Sequence, residues 1–89
     1  MGSLKPVARI GDTGSHGGAI VTGSPNVTVN GIPIARVGDT YLCSIHGPNP
    51  IVQGSLKTTA NNLQIARIGD PTACGATIIS GSPNTFDGG

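Results

Sequence analysis

The chain has 89 residues and a formal net charge of +1, with only 10% charged residues, no glutamate and two aromatic residues, Tyr41 and Phe86. That length is one small domain, and its five cations (Lys5, Arg9, Arg36, Lys57 and Arg67) are too dispersed, with too few rings to stack on bases, to grip nucleic acid. No apolar run approaches the roughly 20 residues of a membrane-spanning helix, and the N-terminus lacks the apolar stretch of a secretory signal.

Fifteen glycines and seven prolines approach the range of disordered chains. Sparse charge beside frequent Ile and Val argues for a folded chain instead. A core so poor in aromatics calls for a staple: a metal, a disulfide or a partner.

The first element is the phrase Pro6-Val7-Ala8-Arg9-Ile10-Gly11-Asp12, an apolar run closed by a Gly-Asp turn. A glycine-rich loop, Gly14-Ser15-His16-Gly17-Gly18, follows. Next come Ile20-Val21-Thr22 and the tight turn Gly23-Ser24-Pro25-Asn26. Val27-Thr28-Val29-Asn30 alternates with period two, as a strand does, and Asn30-Gly31 predicts a hairpin turn. The phrase then returns as Pro33-Ile34-Ala35-Arg36-Val37-Gly38-Asp39, followed by a loop holding Cys43 and His46 before Gly47-Pro48. Ile51-Val52-Gln53-Gly54-Ser55-Leu56-Lys57 is a looser version of the segment from Ile20 to Asn26. A third copy, Gln64-Ile65-Ala66-Arg67-Ile68-Gly69-Asp70, leads to a loop with Cys74 and then Ile78-Ile79-Ser80-Gly81-Ser82-Pro83-Asn84. The pattern predicts short strands and hairpins with no helix, an all-β class. It divides residues 1–89 into repeats at about 6–31, 33–62 and 64–89, with no linker between them.

Repeats of this period suit an open solenoid or a closed three-fold arrangement. Closure explains more. His16, Cys43 and Cys74 each lie four residues after the Asp of their repeat, so a common axis would bring them together. His46 joins them through a Cys-x-x-His pair in one turn. Two sulfurs and two imidazole nitrogens suit one tetrahedral zinc ion, and four protein ligands leave no open position. Other readings stay open: surface histidines, buried thiols, a Cys43–Cys74 disulfide, or an unmetallated cysteine nucleophile beside a histidine. Arg9, Arg36 and Arg67 are expected to pair with Asp12, Asp39 and Asp70, within a unit or across to the next, and to hold the units in register. No Ser-His-Asp grouping stands out, and no enzyme is expected.

The three phrases, with Gly23-Ser24-Pro25-Asn26-Val27-Thr28-Val29-Asn30-Gly31, resemble the PAAR-repeat family, whose name spells proline-alanine-alanine-arginine. Val7, Ile34 and Ile65 stand in place of its first alanine, and Gln64 in place of a proline. The resemblance implies a small cone with pseudo-three-fold symmetry and a zinc ion near its apex. It further implies a cap on the trimeric β-helical spike of a type VI secretion system, a phage tail or another contractile injection device. The family's ligands are commonly three histidines and one cysteine. His16, Cys43, His46 and Cys74 fall at those places with two cysteines instead.

A trimeric spike protein is the partner so implied. The monomer would sit on the trimer, sharpen it for membrane puncture and touch the target membrane transiently. Effector recruitment is a further expectation; no toxin extension of its own is read in the chain. Internal triplication lets one chain meet three equivalent edges. The strands holding Val27, Val29, Ile51, Gln53, Ile78 and Ser80 are expected at the wide end, pairing with the partner by backbone. The chain would be cytoplasmic before firing and leave the cell on the spike. The alternative is a small zinc- or disulfide-stapled binding module, adhesin-like and unrelated to injection.

Overall fold

The computed structural model describes residues 4–87. These residues form an all-β molecule measuring 32 × 29 × 23 Å. It contains no helix among the described residues, and so none long and apolar enough to cross a membrane.

Nine short strands follow in chain order: β1 (Lys5–Pro6), β2 (Ala19–Ile20), β3 (Thr28–Val29), β4 (Ile32–Pro33), β5 (Thr40–Cys43), β6 (Gly47–Pro50), β7 (Thr59–Ala60), β8 (Leu63–Gln64) and β9 (Phe86–Asp87). Strands β3 and β4 pair antiparallel around Asn30 and Gly31, with φ of 57° and 76°. Positive φ at both central residues is what a two-residue type I′ turn requires. Asn61 and Asn62, at 55° and 66°, make the same turn between β7 and β8. Strand β1 pairs with β9, Lys5 opposite Asp87 and Pro6 opposite Phe86. That pair is the third copy of the hairpin, assembled from the two ends of the described chain.

Closure of the three units is visible in the backbone. The Ala35 N–H donates to the Ala8 carbonyl (3.0 Å), Ala8 to Ala66 (2.9 Å), and Ala66 to Ala35 (2.9 Å). The three alanines thus form a hydrogen-bonded ring, and each is 0% exposed. An open solenoid would not return the third unit to the first. Carbonyls of Pro6, Pro33 and Gln64 accept from the N–H groups of Ile68, Ile10 and Val37 at 3.0, 3.0 and 2.8 Å. Only a carbonyl is asked of that position here, so Gln64 serves where the other repeats have proline.

Glycine is forced where neighbouring units cross. A Cβ on Gly23, Gly54 or Gly81 would stand 2.8, 2.5 or 2.9 Å from the carbonyl oxygen of Ile34, Ile65 or Val7. Those same oxygens accept the N–H of Ser24, Ser55 and Ser82 at 2.8–2.9 Å. The backbones are therefore too close for a side chain at the preceding residue.

Side chains divide into two clusters about the alanine ring. Ala8, Ala35 and Ala66 belong to the larger one, with Ile20, Ile51, Ile78, Tyr41 and Cys43. Val7, Ile34 and Ile65, each next to a ring alanine, form the smaller one with Ala60. Consecutive residues of an extended segment point to opposite faces, so the clusters lie on opposite sides of the ring.

Each Arg pairs within its own unit: Arg9 with Asp12 (3.2 Å), Arg36 with Asp39 (2.8 Å) and Arg67 with Asp70 (2.9 Å). The accepting carboxylate oxygen also takes the backbone N–H of the same Arg, which closes the Ala-Arg-Ile-Gly-Asp turn. The remaining arm of each guanidinium, Nη1, reaches Asn30, Asn61 or Asp87. One arginine per repeat thus ties turn to hairpin, by a hydrogen bond to Asn30 or Asn61 and, for Arg67, by a second ion pair to Asp87 (3.4 Å).

Candidate metal centre

The repeats differ in one length. Ile20 lies eight residues after Asp12, and Ile78 eight after Asp70, but Ile51 lies twelve after Asp39. The four extra residues let unit two build the longest hairpin, β5 with β6, registered from Thr40 opposite Pro50 to Cys43 opposite Gly47. Prolines at positions 48 and 50 are tolerated because β6 is the edge of the sheet ordered β2-β5-β6. Ser44, Ile45 and His46 form the bend at its tip.

This insertion turns a three-fold scaffold into a four-ligand site. His16, Cys43 and Cys74 arrive from equivalent places in the three units, and His46 comes from the inserted tip. One ligand atom from each lies within 4.8 Å of all the others. Cys43 Sγ is 3.7 Å from His16 Nδ1 and 3.5 Å from His46 Nδ1. Cys74 Sγ is 3.7 Å from His16 Nδ1. A tetrahedron with metal–sulfur bonds near 2.3 Å and metal–nitrogen bonds near 2.0–2.1 Å has sulfur–nitrogen edges of about 3.5 Å. These three sulfur–nitrogen spacings match the edges of such a coordination shell. The two imidazole centroids are 5.3 Å apart and tilted by 50°, so the rings do not stack but converge. This His2Cys2 group can hold a metal ion, and both cysteines are free thiols.

Hydrogen-bonding groups surround both sulfurs. The backbone N–H groups of Ile45 and His46 both point at Cys43 Sγ, at 3.4 Å. Burial resists ionisation of Cys74, but hydrogen bonds from the Thr72 hydroxyl, the Ala76 backbone, His16 and Cys43 outweigh it and bring the thiol down to about 6. The Cys74 loop is held from the inserted hairpin, where Asn49 Oδ1 accepts the Cys74 N–H at 3.0 Å. Tyr41 lies beneath the site, fully buried. Its hydroxyl donates to the Gly17 carbonyl, which ties the His16 loop to β5. Burial, then the neighbouring Cys43 and Cys74 charges, push its phenol above the usual range, against a backbone hydrogen bond at His16. A Cβ on Gly14 would meet the Tyr41 ring at 2.5 Å, so the loop can drape over the ring only with glycine there.

Tyr41, Asn49 and Thr72 were not reachable from motif spacing. Their one signal is proximity: Tyr41 and Thr72 each stand two residues before a cysteine. The expected docking positions fare unevenly. Val27 and Gln53 are exposed, and Val29 is half-buried against the smaller cluster. Ser80 is half-buried and bonded to Asp12 and Thr13. Ile51 and Ile78 are each 1% exposed, because the hydrophobic effect drives these β-branched side chains into the core. Their backbones are bridged to Thr72 and Gly14 of neighbouring units, so they offer a partner neither side chain nor free strand edge.

A protein-family model described as the PAAR motif matches residues 10–80. A search of curated proteins finds no match.

Proposed function

Because the chain belongs to the PAAR-motif family, we propose that it is a non-enzymatic spike-tip protein, one monomer capping a trimeric β-helical spike. The observation that carries this reading is the closed alanine ring with a four-ligand site built from all three units on its Cys43 side. The resident ion is one zinc, the metal best suited to two thiolates and two imidazoles. When bound it supplies cross-linking: one structural ion joins three loops that contain little regular structure. A complete protein ligand set leaves no position for a substrate or an activated water. The role is mechanical, holding the point of the molecule together while it is driven against a membrane.

The hairpins β3–β4, β7–β8 and β9–β1 are repeated about the axis and border the smaller cluster, on the side of the ring away from the metal group. They are the face we assign to the spike. Exposed Val27, Leu63 and Phe86 supply apolar area there, and triplication lets a single chain address three equivalent spike edges. The test is co-purification with a trimeric spike protein at micromolar concentration. Recovery of one copy per trimer supports the reading. Absence of any complex with zinc-loaded protein overturns it and returns the metal-stapled binding module.

A further inference from the structure

The metal group has a second closed arrangement that needs no metal. Its two sulfurs, on Cys43 and Cys74, lie within 4.8 Å of each other, and both are free thiols. The backbone holds them side by side. Ala73 and Cys74 donate their N–H groups to the Pro50 carbonyl (2.9 Å) and to Asn49 Oδ1 (3.0 Å) on β6, and β6 is paired with the strand that ends on Cys43. A sulfur–sulfur bond of about 2.05 Å asks the two atoms to close by less than about 3 Å. A change of rotamer at one cysteine moves its sulfur by about 3 Å.

The two cysteines also face each other across one particular seam. At the seam from unit one to unit two, the Thr22 hydroxyl donates to Asp39 Oδ1 (2.9 Å) and accepts the Thr40 N–H (2.8 Å). At the seam from unit three back to unit one, the Ser80 hydroxyl donates to Asp12 Oδ1 (3.0 Å) and accepts the Thr13 N–H (2.9 Å). Each hydroxyl latches its seam. The seam from unit two to unit three has no such latch among the described residues. Gln53 stands where Thr22 and Ser80 stand, and Pro71, which lacks an N–H, stands where Thr13 and Thr40 stand. Cys43 belongs to unit two and Cys74 to unit three, so a bond between them fastens the one seam that lacks a hydroxyl.

We infer that the centre is a redox-exchangeable staple: a metal ion on four ligands when reduced, and a Cys43–Cys74 disulfide without the ion when a small-molecule disulfide oxidises it. Cys74 is half-buried and Cys43 buried, so Cys74 reacts first. Its sulfur attacks one sulfur of the oxidant and expels a thiolate. Cys43 then attacks the Cys74 sulfur of the mixed disulfide and expels the second thiolate. Two electrons pass from the protein sulfurs to the oxidant, and no proton is released, because metal-bound sulfurs enter as thiolates. His16 and His46 are then the only donors left, too few for a structural site. The molecule thus stays fastened in both reducing and oxidising surroundings. The inference rests on the metal reading of the site but not on spike capping.

The test treats the zinc-loaded full chain overnight with excess oxidised glutathione and follows released zinc with a chromogenic chelator. Tryptic cleavage after Arg36, Lys57 and Arg67 places Cys43 on residues 37–57 and Cys74 on residues 68–89. The expected result is a non-reduced digest in which these two peptides are joined, with one zinc ion released per link. Dithiothreitol and added zinc reverse both changes. The oxidised zinc-free protein melts above the reduced zinc-free protein. Zinc-bearing protein that gives no joined peptides, glutathione adducts alone, or links between two chains overturns the exchange. Zinc retained after the link has formed also overturns it, as does an oxidised protein that melts no higher than the reduced zinc-free one. A reduced chain that takes up no zinc overturns the metal reading and the exchange together.

Discussion

Substituting Gly54 by alanine tests whether the closeness of neighbouring units holds the fold together. The new Cβ would sit 2.5 Å from the Ile65 carbonyl oxygen, 2.9 Å from Val37 Cγ2 and 3.1 Å from Gln64 Cβ. The carbonyl is backbone and cannot swing away as a side chain end would. It must retreat by more than about 0.5 Å to reach a tolerable contact, and the Ser55 N–H bond to it, now 2.8 Å, lengthens with it. Overpacking costs about 1–3 kcal/mol, and a spoiled buried hydrogen bond about 1–3 kcal/mol more. Gly38→Ala is the control: φ there is +94° but nothing lies within 4 Å of the added methyl. It costs only the left-handed backbone preference, about 1–2 kcal/mol. At roughly 4–8 °C per kcal/mol for a domain of this size, Gly54→Ala lowers the melting temperature by about twice as much as Gly38→Ala. Circular dichroism melts in zinc-saturated buffer measure this with metal linkage held constant. A Gly54→Ala protein that melts at or above the Gly38→Ala protein refutes the close-approach reasoning.

Protein purified without added metal is expected to carry one zinc per chain and two reactive thiols after denaturation, and Cys74→Ser is expected to release the ion and lower the melting temperature sharply; metal analysis with unchanged zinc content would contradict this. Arg67→Met leaves Asp70, 4% exposed, as an unpaired buried charge, at a cost of about 3–5 kcal/mol. Arg9→Met should cost less in urea unfolding, because the Arg9 side chain is more exposed and Asp12 keeps the Ser80 hydroxyl. At Asp39 burial opposes the charge, but hydrogen bonds from Arg36 and Thr22 outweigh it and hold the carboxyl below its ordinary value. Its stabilisation is therefore full above the unfolded value of about 3.9 and is lost as pH falls through the lower folded value. Unfolding curves taken down through that window should show Asp39→Asn less acid-sensitive than the parent; parallel curves would remove Asp39 from the linkage.

The repeated phrase made the all-β class and the Asn30-Gly31 hairpin legible, because turn chemistry and three-fold recurrence are both written locally. The convergence of His16, Cys43 and Cys74 followed from equal offsets after each Asp, and His46 from its Cys-x-x-His spacing to Cys43. The hairpin β5–β6 was not legible: Pro48 and Pro50 argue against a strand unless its edge position is known. The Asn61-Asn62 turn was missed for a related reason, since Asn in left-handed conformation is rarer there than Asn-Gly. The burial of Ile51 and Ile78 was not legible either, because a β-branched residue in a short strand can face core or solvent, and three-residue alternation does not say which.

The pairing of β1 with β9 has a practical corollary. Two hairpins are joined by a two-residue bend and the third is interrupted, yet all three hold the same register. The molecule thus has no privileged starting point. A circularly permuted version, opened between Asn61 and Asn62 and spliced across β9 and β1 by an Asn-Gly bend, retains every seam, and it moves any fused cargo to a different corner of the same base.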